Sequence, residues 1–174
     1  MESVNPRLFR EAMSRFASGV TVVTARRGAD RVGLTASSFA SVSMEPPLVL
    51  VCVTRTLHAH AVIEAAGAFA VNVLGVNQLD AALRFAGLKP ELPDRFEGLG
   101  WTDGATGSPL LQGCLASFEC RLHAAHEGGD HTIFVGQVVQ ATAMDGEPLV
   151  YHNRLWHRPE ALTSQAPPDE SGGM

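Results

Sequence analysis

The chain has 174 residues, 45% of them apolar and 18% charged, with a formal net charge of −5. Those proportions exclude a disordered chain, which carries more charge and fewer apolar groups. They also exclude a nucleic-acid binder that works by neutralising phosphates, because the 13 Lys and Arg are few and scattered.

The length predicts one folded domain over residues 1–158, with a core that needs neither disulfide nor metal. Aromatics are scarce (Phe 8, Trp 2, Tyr 1), so Val, Leu and Ala must build that core. No apolar stretch approaches the roughly 20 residues that span a bilayer. The first thirteen residues lack the layout of a signal peptide. Three cysteines, Cys52, Cys114 and Cys120, form an odd set. Reduced thiols and a cytoplasmic location are the expectation.

Asn5-Pro6 reads as a helix start, an N-cap followed by Pro at the first helical position. Leu8, Ala12, Met13 and Phe16 share one face of that helix, and Gly19 is expected to end it. Val20 to Thr24 is a β-branched strand, and residues 26–30 form a polar turn. Val32 to Ser43 carries five Ser/Thr hydroxyls, no charge and little bulk. Leu48 to Val53 is a strand apolar on both faces. Helices are expected at 58–66 and 78–85, with a strand at 69–74 between them. Residues 84–97 hold six charges and two prolines and read as an exposed excursion. Two long strands, 114–126 and 131–144, flank a turn at 127–130. A last strand covers 149–156. Residues 159–174 read as a disordered Pro/Ser/Gly-rich tail. Strands dominate without βαβ alternation, which favours a closed antiparallel barrel.

Phosphate loops, dinucleotide fingerprints and nucleophile elbows are all missing. His58/His60 and His123/His126 lack the spacing of metal ligands, so no metal is expected. Cys52 reads as a small packed hydrophobe. The hydroxyl segment admits two readings. Thr35, Ser37, Ser38, Ser41 and Ser43, with little bulk at Gly33, Ala36 and Ala40, suit the edge of a planar polar ligand. A Ser-rich edge strand and loop would look the same.

Seven stretches carry a resemblance: FASGVTVVT (16–24), GLTASSFASVSMEPPLVLVCV (33–53), FAVNVL (69–74), RFAG (84–87), GCLASFECRL (113–122), GDHTIFVGQV (129–138) and PLVYHNRLWH (148–157). In order and spacing, from about residue 8 to 158, the chain resembles the short-chain flavin reductases. Those are the reductase components of two-component flavin-dependent monooxygenases. The resemblance implies a mainly β fold with peripheral helices, an antiparallel Greek-key split β-barrel of the FMN-binding type, usually a homodimer. It implies hydride transfer from NADH or NADPH to FMN or FAD, and delivery of reduced flavin to a partner monooxygenase.

Carried over residue by residue, the resemblance places Thr35, Ala36, Ser37 and Ser38 along the isoalloxazine, with Ser41, Val42 and Ser43 continuing that wall. Cys52, Val53 and Thr54 would lie beneath the ring and ribityl chain. Thr56, His58, Arg84 and Phe85 would reach towards the phosphate. His131 would stand at the nicotinamide face, or only cap the 127–130 turn. Arg84 could equally be a solvated helix residue. The prolines of 88–94 (LKPELPD) depart from the family's pattern, which has a shorter basic stretch there. Two other readings stay open: a flavin carrier or sensor without turnover, and a heme- or pyridoxal-related split-barrel enzyme.

Overall fold

The computed structural model describes residues 4–162. Helix α1 (Pro6–Ser14) begins where the Asn-Pro signal places it, and the Asn5 side chain accepts from the Arg7 N–H. It ends at Ser14, short of Gly19. None of its residues is buried, and Leu8, Met13 and Phe16 are exposed. Its apolar stripe therefore meets no core within the chain.

Strand β1 is the two-residue Ser18–Gly19. Strands β2 (Thr21–Arg27) and β3 (Asp30–Ala36) form a hairpin closed by Gly28 at positive φ. The hydroxyl segment splits here: β3 ends at Ala36, residues 37–39 turn, and β4 (Ala40–Met44) follows. Strand β5 (Pro47–Thr54) pairs with β4 across a bulge at Val42. Helix α2 (His58–Ala66) ends on Gly67 in the left-handed region. Strand β6 (Ala68–Val73) precedes a short 3₁₀ turn and helix α3 (Leu79–Phe85). The small hairpin β7 (Trp101–Asp103) and β8 (Pro109–Leu111) lies beyond the charged excursion. The long strands β9 (Ala116–Gly128) and β10 (His131–Ala143) pair through a turn tighter than the four residues expected. The expected single last strand is instead a hairpin, β11 (Val150–His152) and β12 (Leu155–His157). Asn153 and Arg154 turn it at positive φ without a glycine.

Seven strands make one antiparallel sheet in the order β3-β2-β6-β9-β10-β5-β4, and β1, β11 and β12 make a second, smaller one. The architecture is mainly β and barrel-like, with helices at its margins, as expected. The main sheet curls around a core of Val23, Val51, Val53, Phe69, Val71 and Phe134, into which α2 inserts Val62 and Ile63. A second core gathers Leu74, Phe85, Phe96 and Leu149 under α3. Buried Asn72 ties the layers together: its amide donates to the Val22 carbonyl, and its oxygen accepts from Leu111 N–H. No described helix is long and apolar enough to cross a membrane. Of the tail, residues 159–162 are exposed and residues 163–174 lie outside the described residues.

Candidate functional site

Strand β5 alternates strictly. Val49, Val51 and Val53 are buried, and Leu48, Leu50, Cys52 and Thr54 are half-buried on the opposite face. Period-two geometry forces that split. Register then assembles the site: β10 sets His131 opposite Thr54 and Ile133 opposite Cys52. Thr54 Oγ1 lies 3.0 Å from His131 Nε2, and Asp130 Oδ1 lies 2.7 Å from His131 Nδ1. The imidazole is thus held at both nitrogens. Its hydrogen bond keeps the Asp130 carboxyl below the usual carboxylate range.

The turn after β3 reaches the same face. Ser38 Oγ accepts from the Cys52 N–H at 3.0 Å and lies 3.2 Å from the Cys52 carbonyl. Beside it Ser37 is exposed. Along β4, Ser41 and Val42 are exposed and Ser43 is half-buried. Among the described residues, no intrachain side-chain hydrogen bond engages Ser37, Ser41 or Ser43. Three neutral hydroxyls are therefore free for a ligand, with no fixed charge among them.

Thr35 is different: its hydroxyl donates to the Ala82 carbonyl at 2.7 Å and fastens β3 to α3. It still lines a groove of about 340 Å³ with Ala36, Ser37, Leu88, Tyr151 and Trp156. Tyr151 and Trp156 pack with ring centroids 4.8 Å apart. Neither belongs to the carried-over set, although the sequence already puts both in the last matching stretch. Ala36 is nearly buried, so its methyl also serves the core.

A second groove, of about 320 Å³, runs along β3 between α2 and residues 93–96. His58 stands there at the start of α2, 2.8 Å from Asp30. Arg31 and Arg95 line the same groove, and no motif signalled them. Arg31 pairs with Asp94 and stacks over Phe96 and Trp101. Thr56 is exposed in the turn ahead of α2.

Three carried-over residues are engaged within the fold. Val53 points into the core, fully buried. The Phe85 ring is buried edge-on to Phe96, 4.9 Å between centroids. Arg84 is only 16% exposed; it donates from Nε to Asp80 and from a terminal nitrogen to the Glu97 carbonyl. Its guanidinium clamps the charged excursion onto α3. Cys52 is half-buried on the face of β5 opposite the core. Among the described residues, no three His, Cys, Asp or Glu side chains converge on a metal-sized space.

A family model described as flavin reductase like domain matches residues 13–158. The reductase subunit of a flavin-dependent monooxygenase from Rhodococcus jostii is 41% identical over 152 residues, covering 87% of this chain and 76% of its own. An NADH-dependent FMN reductase from Agrobacterium fabrum is 43% identical over 154 residues, covering 88% and 86%. Among solved structures, an NADH:FAD oxidoreductase of Streptomyces globisporus in complex with NAD and FAD fragments superposes with a TM-score of 0.84. It is 39% identical and is covered in full by 95% of this chain.

Proposed function

The chain belongs to the flavin reductase-like domain family, and from that membership we propose how its own residues carry out the family's reaction. It is an oxidoreductase that uses a nicotinamide nucleotide to reduce FMN or FAD and supplies the reduced flavin to a monooxygenase. Relatives named for NADH make NADH the donor to test first. The observation that carries the assignment to this face is the convergence of Ser38, Cys52, Thr54 and His131, with the unengaged hydroxyl of Ser37 next to Ser38 and that of Ser43 opposite Leu48 on the same face of β5.

The residues present fit a flavin. Its ring edge is planar and rich in neutral donors and acceptors, which matches uncharged hydroxyls and exposed main chain. When bound, it supplies the redox chemistry, taking a hydride from the nicotinamide. The protein's share is to position the reactants and to shape the field around them. Ser37 and Ser43 offer hydrogen bonds along one wall, while Ser41, opposite Val49, lies on the other face of β4. Thr54 and Cys52 form its floor. His131, fixed at both nitrogens, stands at the open end where a nicotinamide would enter. The groove of Thr35, Tyr151 and Trp156 offers a flat apolar wall on the far side of the same turn. His58 and Arg95 in the second groove, with Thr56 in the turn ahead of α2, are the groups proposed for the phosphate. Arg84 and Phe85 act indirectly, by holding α3 and the excursion in place.

Few free cations border the flavin wall, which suits a ligand that has to leave after reduction. A homodimer accords with exposed Val42 and Met44 on edge strand β4 and with Val139 on β10, since such residues gain from burial. The monooxygenase partner follows from relatives named as reductase subunits.

Steady-state oxidation of NADH, measured with added FMN or FAD, tests the reading. Turnover above the flavin-free blank is expected with at least one flavin. Flavin binding without nicotinamide oxidation would favour the carrier reading instead.

A further inference from the structure

We propose that Asp130 is a positioning residue for this reaction: it selects the tautomer of His131 and thereby decides whether Thr54 presents an acceptor or a donor to the ligand. The proposal rests on the reductase reading above and adds a residue to it.

Asp130 ends the β9–β10 turn, immediately before His131. Its carboxylate accepts from the ring at Nδ1, 2.7 Å away. Its main-chain carbonyl accepts from the Arg55 N–H at 3.0 Å, which moors the turn to the segment that follows Thr54. The hairpin tip and the end of β5 are therefore one unit.

A carboxylate can only accept, so Nδ1 must carry a proton. In the neutral ring Nε2 is then the acceptor, and among the described residues the hydroxyl in reach is Thr54 Oγ1, 3.0 Å away. The Thr54 proton is spent on the imidazole, and its lone pairs are left for a bound molecule. The opposite tautomer would donate from Nε2 to Thr54 and push the hydroxyl proton outward. A distal partner that fixes a ring tautomer is the usual device for this. With lone pairs outward, Thr54 suits an amide or imide N–H. A nicotinamide carboxamide and the isoalloxazine imide both carry one.

Other charged groups near the ring do not compete for Nδ1. On the segment after β5, Arg55 is engaged with Glu127 of β9 at 2.7 Å. His126 of β9 lies opposite Ile133, two pairs further along the sheet from His131. Cys52 of β5 faces Ile133. Asp130 itself is 88% exposed, so its replacement leaves no cavity.

The test is ¹⁵N NMR of the His131 ring in protein labelled at histidine, together with NADH kinetics and flavin titration. In the wild type the neutral ring is expected to carry its proton on Nδ1. Asp130→Ala is expected to move it to Nε2 and to lower kcat/KM for NADH about tenfold, with the unfolding midpoint unchanged. Asp130→Asn keeps an acceptor oxygen and is expected to restore the Nδ1 proton and most of the activity. A rise in KM for NADH assigns the recognised N–H to the nicotinamide. A weakened flavin Kd assigns it to the isoalloxazine. An unmoved tautomer in Asp130→Ala overturns the proposal, as does a moved tautomer with both constants unchanged. A wild type that fails to oxidise NADH overturns the reductase reading, while the ring tautomer remains measurable.

Discussion

The Ser38 hydroxyl engages both main-chain groups of Cys52, 3.0 Å from its N–H and 3.2 Å from its carbonyl. Strand β4 pairs β5 only as far as Leu50. Beyond that point the edge of β5 would be bare, and one side chain takes over the pairing. The turn carrying Ser37 and Ser38 is thereby fixed to the end of β5.

Ser38→Ala follows directly. It strips a partner from two main-chain groups at a half-buried position, which costs about 1–3 kcal/mol when water does not replace it. The turn also loses its anchor, so flavin affinity should fall together with stability. Urea unfolding and fluorescence titration measure the two. Full stability with unchanged affinity would show that the staple matters to neither.

Much of this arrangement is legible in the sequence. The Asn-Pro helix start, the extent of α2 and the hairpin around residues 129–130 follow from local chemistry, because capping and turn residues act within a few positions. Strand β5 is apolar on both faces in sequence, so composition does not say which face is buried, although strand geometry keeps Val53 from facing the same way as Cys52 and Thr54. Other features are not legible. Asn153 and Arg154 turn the last hairpin without glycine, so nothing marked the break. Leu8, Met13 and Phe16 pattern as a core face, yet burial depends on what the rest of the fold brings near them. The clamp of Arg84 on Asp80 and Glu97, and the place of Arg31 and Arg95 at one groove, join residues through tertiary packing that spacing does not encode.

Gly33 tests how tightly α3 is held against β3. A Cβ there would stand 2.5 Å from Phe85 Cε1 and 2.6 Å from Cδ1. The ring is buried and already edge-on to Phe96, so it has little room to retreat. Overpacking of this kind costs about 1–3 kcal/mol. Gly33→Ala should therefore lower the thermal midpoint. It should also loosen the Thr35 bond to Ala82, because both contacts fasten the same helix. Gly33→Ala combined with Phe85→Leu should recover part of the loss, and no recovery would show that the strain lies elsewhere.

The three thiols should separate cleanly by reactivity. Thiolate is the nucleophile, so burial protects a cysteine twice, by blocking access and by disfavouring ionisation. Cys120 is fully buried, and burial together with the neighbouring Glu119 pushes its thiol up to about 12. Burial raises Cys114 as well, against a weaker opposing effect from Gln78. Cys52 alone is half-buried and faces the proposed flavin floor. At about pH 8, an aromatic disulfide reagent should titrate one thiol in the native protein and all three after denaturation. Cys52→Ser should abolish the native reaction. Saturating flavin should slow it, because a ring lying over Cys52 shuts out the reagent. Labelling at Cys52 with the same rate in the presence of flavin would remove that residue from the floor of the site.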